Sequence, residues 1–407
     1  MKIKLLTFFI FTFSFILLFN SKISAKPVLP DYSKDSDGIW KKLQPDEEKT
    51  LFQRIMKAGQ KKVYHFADCE HTDCSANIMF TGDLMCLAGQ QFSAETRNGF
   101  DFDASYSLVA PFFNSADLVC GNLETLISPS NPLTKVMKNI GGSPQCNGPE
   151  AYLKTLRKAG FDYFATANNH CCDWGTEGIA ETTRLLDKYG FAHTGTSPKI
   201  KDNYVIFEVN GIRIAILSYT HIINQRGKLT PEQLNSMVSL YSEDRVSSDI
   251  KAARSKGADF IAVYCHWGIE NTEVLTEYQK KDSLFIANSG ADLIIGSHPH
   301  CLQGKEILIT DDNRKVPCMY SMGNFVSSMV RDINNDTIIL DLRISKNLFD
   351  NKLVIENIDY IPCHVMPYNG ASFCVVPTSS SFNGGITSAS LEAAEKRIRK
   401  IIGEFIL

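Results

Sequence analysis

Beyond its first 25 residues the 407-residue sequence contains no long apolar run, which argues against further membrane-spanning helices. It has no large excess of either charge: 42 Lys and Arg stand against 45 Asp and Glu, and three of those lysines, Lys2, Lys4 and Lys22, fall within the first 25 residues. The mildly acidic remainder argues against a nucleic-acid partner and against bulk attraction to an anionic polymer, so any anion has to be met by a local site. There is no internal repeat and no low-complexity tract beyond Ser379–Ser381. No Cys stands directly after the N-terminal apolar stretch, which argues against lipid attachment.

The first residues themselves have the layout of a secretory signal. Lys2 and Lys4 precede the uncharged, mostly apolar Leu5–Phe19, and the more polar Ser21–Ala25 ends on small residues. Cleavage before Lys26 is the expected outcome; Ile23, a poor residue at the third position before the cut, leaves anchoring by an uncleaved signal as the alternative. In either case the chain is expected to be exported, periplasmic or at the cell surface. Its 12 Cys are many for an exported chain, where thiols tend to pair. Cys69 and Cys74 bracket a short polar stretch and form the expected local disulfide, while a small metal site using His71 would need a fourth ligand from elsewhere. Cys120 and Cys265 sit in apolar runs and read as buried small hydrophobes.

Residues 26–75 are charged and turn-rich, with apolar residues at helical spacing over Leu43–Met56, and read as an N-terminal extension carrying one helix. From Ile78 onward short apolar runs alternate with helical segments, the pattern of an α/β domain, here bounded at 76–333. Strands are expected at Ile78–Thr81, Leu118–Cys120, Tyr163–Thr166, Tyr204–Glu208, Ile212–Ser218, Phe260–Tyr264, Leu293–Ile295 and Met319–Ser321. Helices are expected at Pro149–Ala159, Thr176–Tyr189, Ser247–Lys256 and Glu277–Asn288. Residues 334–407 read as an appendage closing the domain: a hairpin of Thr337–Ile344 and Lys352–Ile361, a polar loop, and the helix Leu391–Ile402, whose basic stretch Lys396–Lys400 is its solvated face.

Polar residues suited to metal binding recur at the C-terminal ends of these strands, where open α/β sheets present their ligand sites. In order they are Thr81-Gly82-Asp83, with Gly82 giving the backbone room to turn; Gly121-Asn122-Leu123-Glu124; Asn168-Asn169-His170 with Asp173 and Gly175; His266-Trp267-Gly268 with Glu270; and Gly296-Ser297-His298-Pro299-His300 with Gln303. Pro299 favours an extended chain, so His298 and His300 are expected to project from one side and to reach neighbouring metals. Cys265 and His266 face opposite ways on a strand, which argues against Cys265 as a ligand beside His266. Any one segment has a bland reading, Asp83 as a cap or Asn168 and Asn169 as turn formers. Five in order, each ending a strand, point to a metal site. A mixed carboxylate, imidazole and amide set suits Mn, Zn or Fe better than Ca or Mg. His221 reads as a surface histidine that could line the cleft, and Trp174 and Trp267 as packing beside it.

Together with Ser321-Met322-Gly323-Asn324-Phe325, this series resembles the capsule synthesis protein CapA family of the metallophosphoesterase superfamily, over roughly Ile78 to Val326. The resemblance implies a calcineurin-like fold, a two-sheet β sandwich flanked by helices with two divalent metal ions at the strand ends. Carried over position by position, it makes Asp83 and His300 ligands of the first metal, Glu124 the bridge, and Asn169, His266 and His298 the set for the second. It leaves His170, held by Asp173, to face the substrate as an acid. Where that superfamily carries a second ligand His after the first Asp, this chain has Met85, a poor partner for a hard divalent ion.

Two functions follow as expectations. One is an accessory role in synthesis or export of a poly-γ-glutamate-type capsule, with the anionic polymer or its precursor and membrane-bound capsule synthesis components as partners. The alternative is a free-standing exported metal-dependent hydrolase of phosphoesters or γ-glutamyl amides. Both reactions pass through an anionic centre that a metal pair would stabilise.

Overall fold

The structure, a computed structural model, describes residues 32–34, 38–42, 73–137, 144–347 and 349–405. The signal layout, the helix expected at Leu43–Met56, Cys69 and His71 lie outside these residues.

Among the described residues, two eight-stranded sheets face each other. The first runs β1 (Tyr32–Lys34), β2 (Ile39–Lys42), β9 (Tyr204–Val209), β10 (Ile212–Thr220), β11 (Phe260–His266), β12 (Leu293–Ser297), β14 (Lys315–Met322) and β13 (Leu302–Ile309). The second runs β18 (Ala371–Pro377), β17 (Leu353–Tyr368), β16 (Asp336–Asn347), β3 (Asp73–Leu84), β6 (Leu118–Leu123), β7 (Tyr163–Ala165) and β8 (Ala192–Thr194), with β15 (Asn324–Val326) beside β3. A separate short hairpin joins β4 (Glu95–Thr96) to β5 (Gly99–Phe100). The main helices are α1 (Glu150–Ala159), α2 (Gly175–Lys188), α3 (Glu243–Ser255), α4 (Glu277–Asn288) and α5 (Ala389–Ile402).

The period of two along each strand sorts side chains into layers. In β11, Phe260, Ala262 and Tyr264 enter the core between the sheets, while Ile261, Val263 and Cys265 pack outward against α3 and α4. The same alternation sends Leu118 and Cys120 of β6 inward and Val119 and Leu123 out against α1 and α2. Strands covered on both faces read as unbroken apolar runs, which is why they were legible from sequence. The product is a two-sheet sandwich with helices on both outer faces.

Three features differ from the sequence reading. The C-terminal hairpin is built into the second sheet: β16 pairs antiparallel with β3 along Ile339↔Thr81 to Asn347↔Asp73. The pairing buries Ile338, Leu340, Leu342 and Ile344 between the sheets and covers the ladder of β3 that would otherwise be an open edge. The loop expected after the hairpin contains β18. At the other end, β2 adds parallel to β9, and Tyr32 meets Phe207 edge-on with ring centroids 5.0 Å apart. Part of the N-terminal segment is therefore sheet.

Gly82 also acts differently from the expectation. β3 runs through it to Leu84, and a Cβ there would stand 2.0 Å from the carbonyl oxygen of Gly323. Its absent side chain permits the close approach of the two strands that carry Asp83 and Asn324.

Candidate metal centre

The parity that sorts the core also aims the site. Two residues beyond Cys120 and again beyond Asn122, the inward face of β6 presents Asn122 and then Glu124; two beyond Tyr264, β11 presents His266; two beyond Ile295, β12 presents Ser297. β3 ends on Asp83, β7 is followed by Asn168–His170, and the turn after β12 carries His298 and His300. All of these residues are buried, with His170 and His298 the most exposed at 4% each.

One group forms around His266. Its Nε2 lies 3.0 Å from Asn169 Oδ1, 3.1 Å from His298 Nδ1 and 3.7 Å from Glu124 Oε1, and its Nδ1 is 2.9 Å from Ser297 Oγ. Ligands about 2.0–2.2 Å from a common ion stand at about this spacing from one another. The second group comprises Asp83, Glu124 and His300, whose ligand atoms all lie within 4.8 Å of each other. Asp83 Oδ2 is 3.8 Å from His300 Nδ1, and Glu124 Oε1 is 3.7 Å from His300 Nε2, so Glu124 belongs to both groups. Asn122 donates to Asp83 Oδ1 at 2.7 Å, and the backbone N–H of His298 donates to Asp83 Oδ2 at 3.1 Å.

Without a cation this arrangement is electrostatically incomplete. Burial, joined by the nearby Asp83 carboxyl, pushes the Glu124 carboxyl well above the ordinary carboxylate range; burial also raises Asp83, against the pull of His300 and Asn122. Burial, then His298 and His300, holds His266 far below the usual imidazole range; burial and the neighbouring histidines bring His298 down to about 3. Both oxygens of Glu124 and the Nδ2 of Asn169 are buried without a hydrogen-bond partner among the described residues. Neutral imidazoles beside two carboxyl groups and unsatisfied oxygens are a donor set that fits divalent transition metals.

His170 and Asp173 stand beside these groups. His170 Nδ1 is 2.7 Å from Asp173 Oδ2, which also accepts the backbone N–H of Cys146 at 2.6 Å. Burial lowers the pKa of His170, but Cys146 and Asp173 outweigh it and hold the imidazole well above its ordinary value. Of the other residues singled out from sequence, Trp267 is fully buried and donates to the Tyr320 carbonyl at 2.9 Å, and His221 pairs with Asp282 at 2.9 Å while stacking on Tyr241.

The expected extended chain through Pro299 is not found. His298 and His300 have φ of 95° and 57°, left-handed values, so a turn rather than a strand presents them. The turn separates their roles: the His298 ring lies against His266, and His300 reaches Glu124. Sequence reasoning also gave no role to Asn122, Ser297, Asn324 or Cys146. Parity along β6 and β12 was available as a signal for the first two. Asn324 lies in a quoted motif, and its side-chain oxygen is 2.9 Å from His300 Nδ1. The exposed Glu270, noted beside the fourth segment, has a carboxylate oxygen within 4.8 Å of ring nitrogens of His298 and His300.

Comparison with known proteins covers the stretch of chain that carries these residues. Residues 77–329 match the family described as bacterial capsule synthesis protein PGA_cap. The chain is 29% identical over 295 residues to a capsule biosynthesis protein CapA of Bacillus anthracis, covering 71% of this chain and 67% of that one. It is 28% identical over 284 residues to a PGA biosynthesis protein CapA of Bacillus subtilis (strain 168), covering 68% and 70%. Among solved structures, a calcineurin-like phosphoesterase of Bacillus subtilis is similar with a TM-score of 0.44 at 14% identity, covering 81% of this chain and 97% of that chain.

Proposed function

Since the chain belongs to the bacterial capsule synthesis protein family PGA_cap, we propose that it is an exported accessory component of capsule polymer synthesis or export, working through a dinuclear metal site. The observation that carries this reading is the convergence of Asp83, Glu124, Asn169, His266, His298 and His300 from five strand ends into one buried space, with both Glu124 oxygens lacking a hydrogen-bond partner among the described residues. Export rests on the signal layout of residues 1–25; among the described residues, no helix is long and apolar enough to cross a membrane.

Asp83, Glu124 and His300 would hold one ion, and Glu124, Asn169, His266 and His298 the other. Bound there, the ions supply positive charge against an anionic centre. The chain's own contribution is orientation and proton handling. Asn122 and the His298 N–H fix Asp83, Ser297 fixes His266, and Asp173 fixes the His170 ring so that His170 delivers a proton to a leaving group. An anionic polymer such as poly-γ-glutamate, or its precursor, is the substrate class that suits a cationic centre in an otherwise acidic chain. Membrane-bound capsule synthesis components would be its partners.

The test is complementation. A strain lacking this chain is supplied with the wild type or with His266→Ala/His298→Ala, and surface polymer is quantified. Polymer restored by the wild type alone supports the reading; equal restoration by the double variant refutes the role of the site.

A further inference from the structure

We infer that Asn324 is the positioning residue that sets the tautomer of His300, and that the first metal position depends on it while the second does not. The inference rests on the dinuclear reading above.

Asn324 lies in β15 opposite Asp83 in the parallel pairing with β3, so the two residues flank the same position. Its amide can be oriented from its partners. Nδ2 lies 3.0 Å from Ser327 Oγ and 3.3 Å from the carbonyl oxygen of Asn334; the carbonyl can only accept, so the amide nitrogen belongs on that side. The amide oxygen then faces His300 Nδ1 at 2.9 Å, and because that oxygen only accepts, Nδ1 must carry the hydrogen. The lone pair of the neutral ring is thereby placed on Nε2, the nitrogen 3.7 Å from Glu124 Oε1.

The backbone of His300 is held from the same segment. Asn334 Nδ2 donates to the His300 carbonyl at 2.9 Å and to Asn271 Oδ1 at 2.9 Å. These bonds restrain a residue whose φ of 57° is uncommon outside glycine. At the other position the ring of His266 is held by residues other than Asn324. His266 Nδ1 meets Ser297 Oγ at 2.9 Å, a hydroxyl that can donate or accept, and Asn122 Nδ2 at 3.4 Å, which can only donate. That separation is what makes the inference testable: an Asn324 defect should fall on one ion only.

The experiment is a zinc titration of the full chain by calorimetry, with elemental analysis, on wild type, Asn324→Leu and Asn324→Asp. Wild type is expected to bind two zinc ions. Asn324→Leu, of similar size but with no acceptor, is expected to keep one at wild-type affinity and to weaken the other about 10–100-fold. Asn324→Asp keeps the acceptor and should restore two. Unchanged affinities in Asn324→Leu, an equal loss of both ions, or no rescue by aspartate would overturn the inference. Wild type that binds no zinc would instead overturn the dinuclear reading. Should Asn324→Leu fail to fold, the ring-nitrogen NMR spectrum of metal-free wild type decides, with the His300 signals identified by their loss in His300→Gln. A hydrogen on Nδ1 is expected, and one on Nε2 overturns the inference.

Discussion

Replacing Gly82 by alanine tests how the site-bearing strands are held together. A Cβ at Gly82 would sit 2.0 Å from the Gly323 carbonyl oxygen and 3.1 Å from that of Met322, whereas real Cβ contacts essentially never fall below 3.0 Å. The obstacle is backbone, so no side-chain rotation relieves it, and β3 and β15 have to part by about 1 Å. The neighbouring N–H of Asp83 donates to the same Gly323 oxygen at 3.0 Å, so the displacement reaches the first ligand directly. Overpacking of this kind costs about 1–3 kcal/mol, and a rigid backbone obstacle places Gly82→Ala toward the upper end. The shift is about 2–4 °C per kcal/mol for a domain of roughly 150–250 residues and smaller for one of this size, so thermal unfolding should shift down by a few degrees. Gly227→Ala is the control, since a Cβ there meets nothing within 4 Å among the described residues. Urea and thermal unfolding of the metal-free variants provide the assay. Gly82→Ala within 0.5 kcal/mol of wild type, a change ordinary at an unremarkable surface site, would refute the close-approach argument.

Other consequences are equally specific. His266→Ala/His298→Ala should abolish binding of one metal ion and leave Asp83 and His300 able to retain the other weakly; unchanged metal content by elemental analysis counts against the assignment. His170→Ala should keep metal content while lowering any hydrolytic or polymer-processing rate by roughly 10²–10⁴-fold, and loss of both ions from a folded variant would make His170 a ligand. Because burial raises Asp83 and Glu124 above ordinary carboxyl values, both must shed protons to bind metal. Affinity should therefore rise with pH and fall as pH drops, and calorimetry in buffers of different ionisation enthalpy should record proton release; no release would contradict it. Asp336, buried and bound by Arg397 at 2.6 and 2.9 Å and by His364 at 2.7 Å, ties α5 to the second sheet. Asp336→Asn should cost about 1–3 kcal/mol in urea unfolding.

Much of this site could be read without coordinates because it is built from strand ends. Runs buried on both faces announced β6, β10, β11 and β12, and the residues that follow them are the ones the fold brings together. What could not be read was whatever local rules misstate or do not reach. Pro299 restricts its neighbour toward extended backbone, yet tertiary bonds hold His298 and His300 in a left-handed turn. β16 alternates like any hairpin strand, and nothing local reveals that its partner is β3, more than two hundred residues away in sequence. Asn324 is an ordinary amide until the pairing of β15 with β3 sets it opposite Asp83.

The central claim is that this chain holds two divalent metal ions at the strand ends. A crystal of protein purified with zinc or manganese, recorded at the metal absorption edge, tests it most directly. Two anomalous peaks are expected, one enclosed by Glu124, Asn169, His266 and His298 and one by Asp83, Glu124 and His300. No peak at either position in metal-saturated protein, or a single peak elsewhere in the fold, would contradict the account.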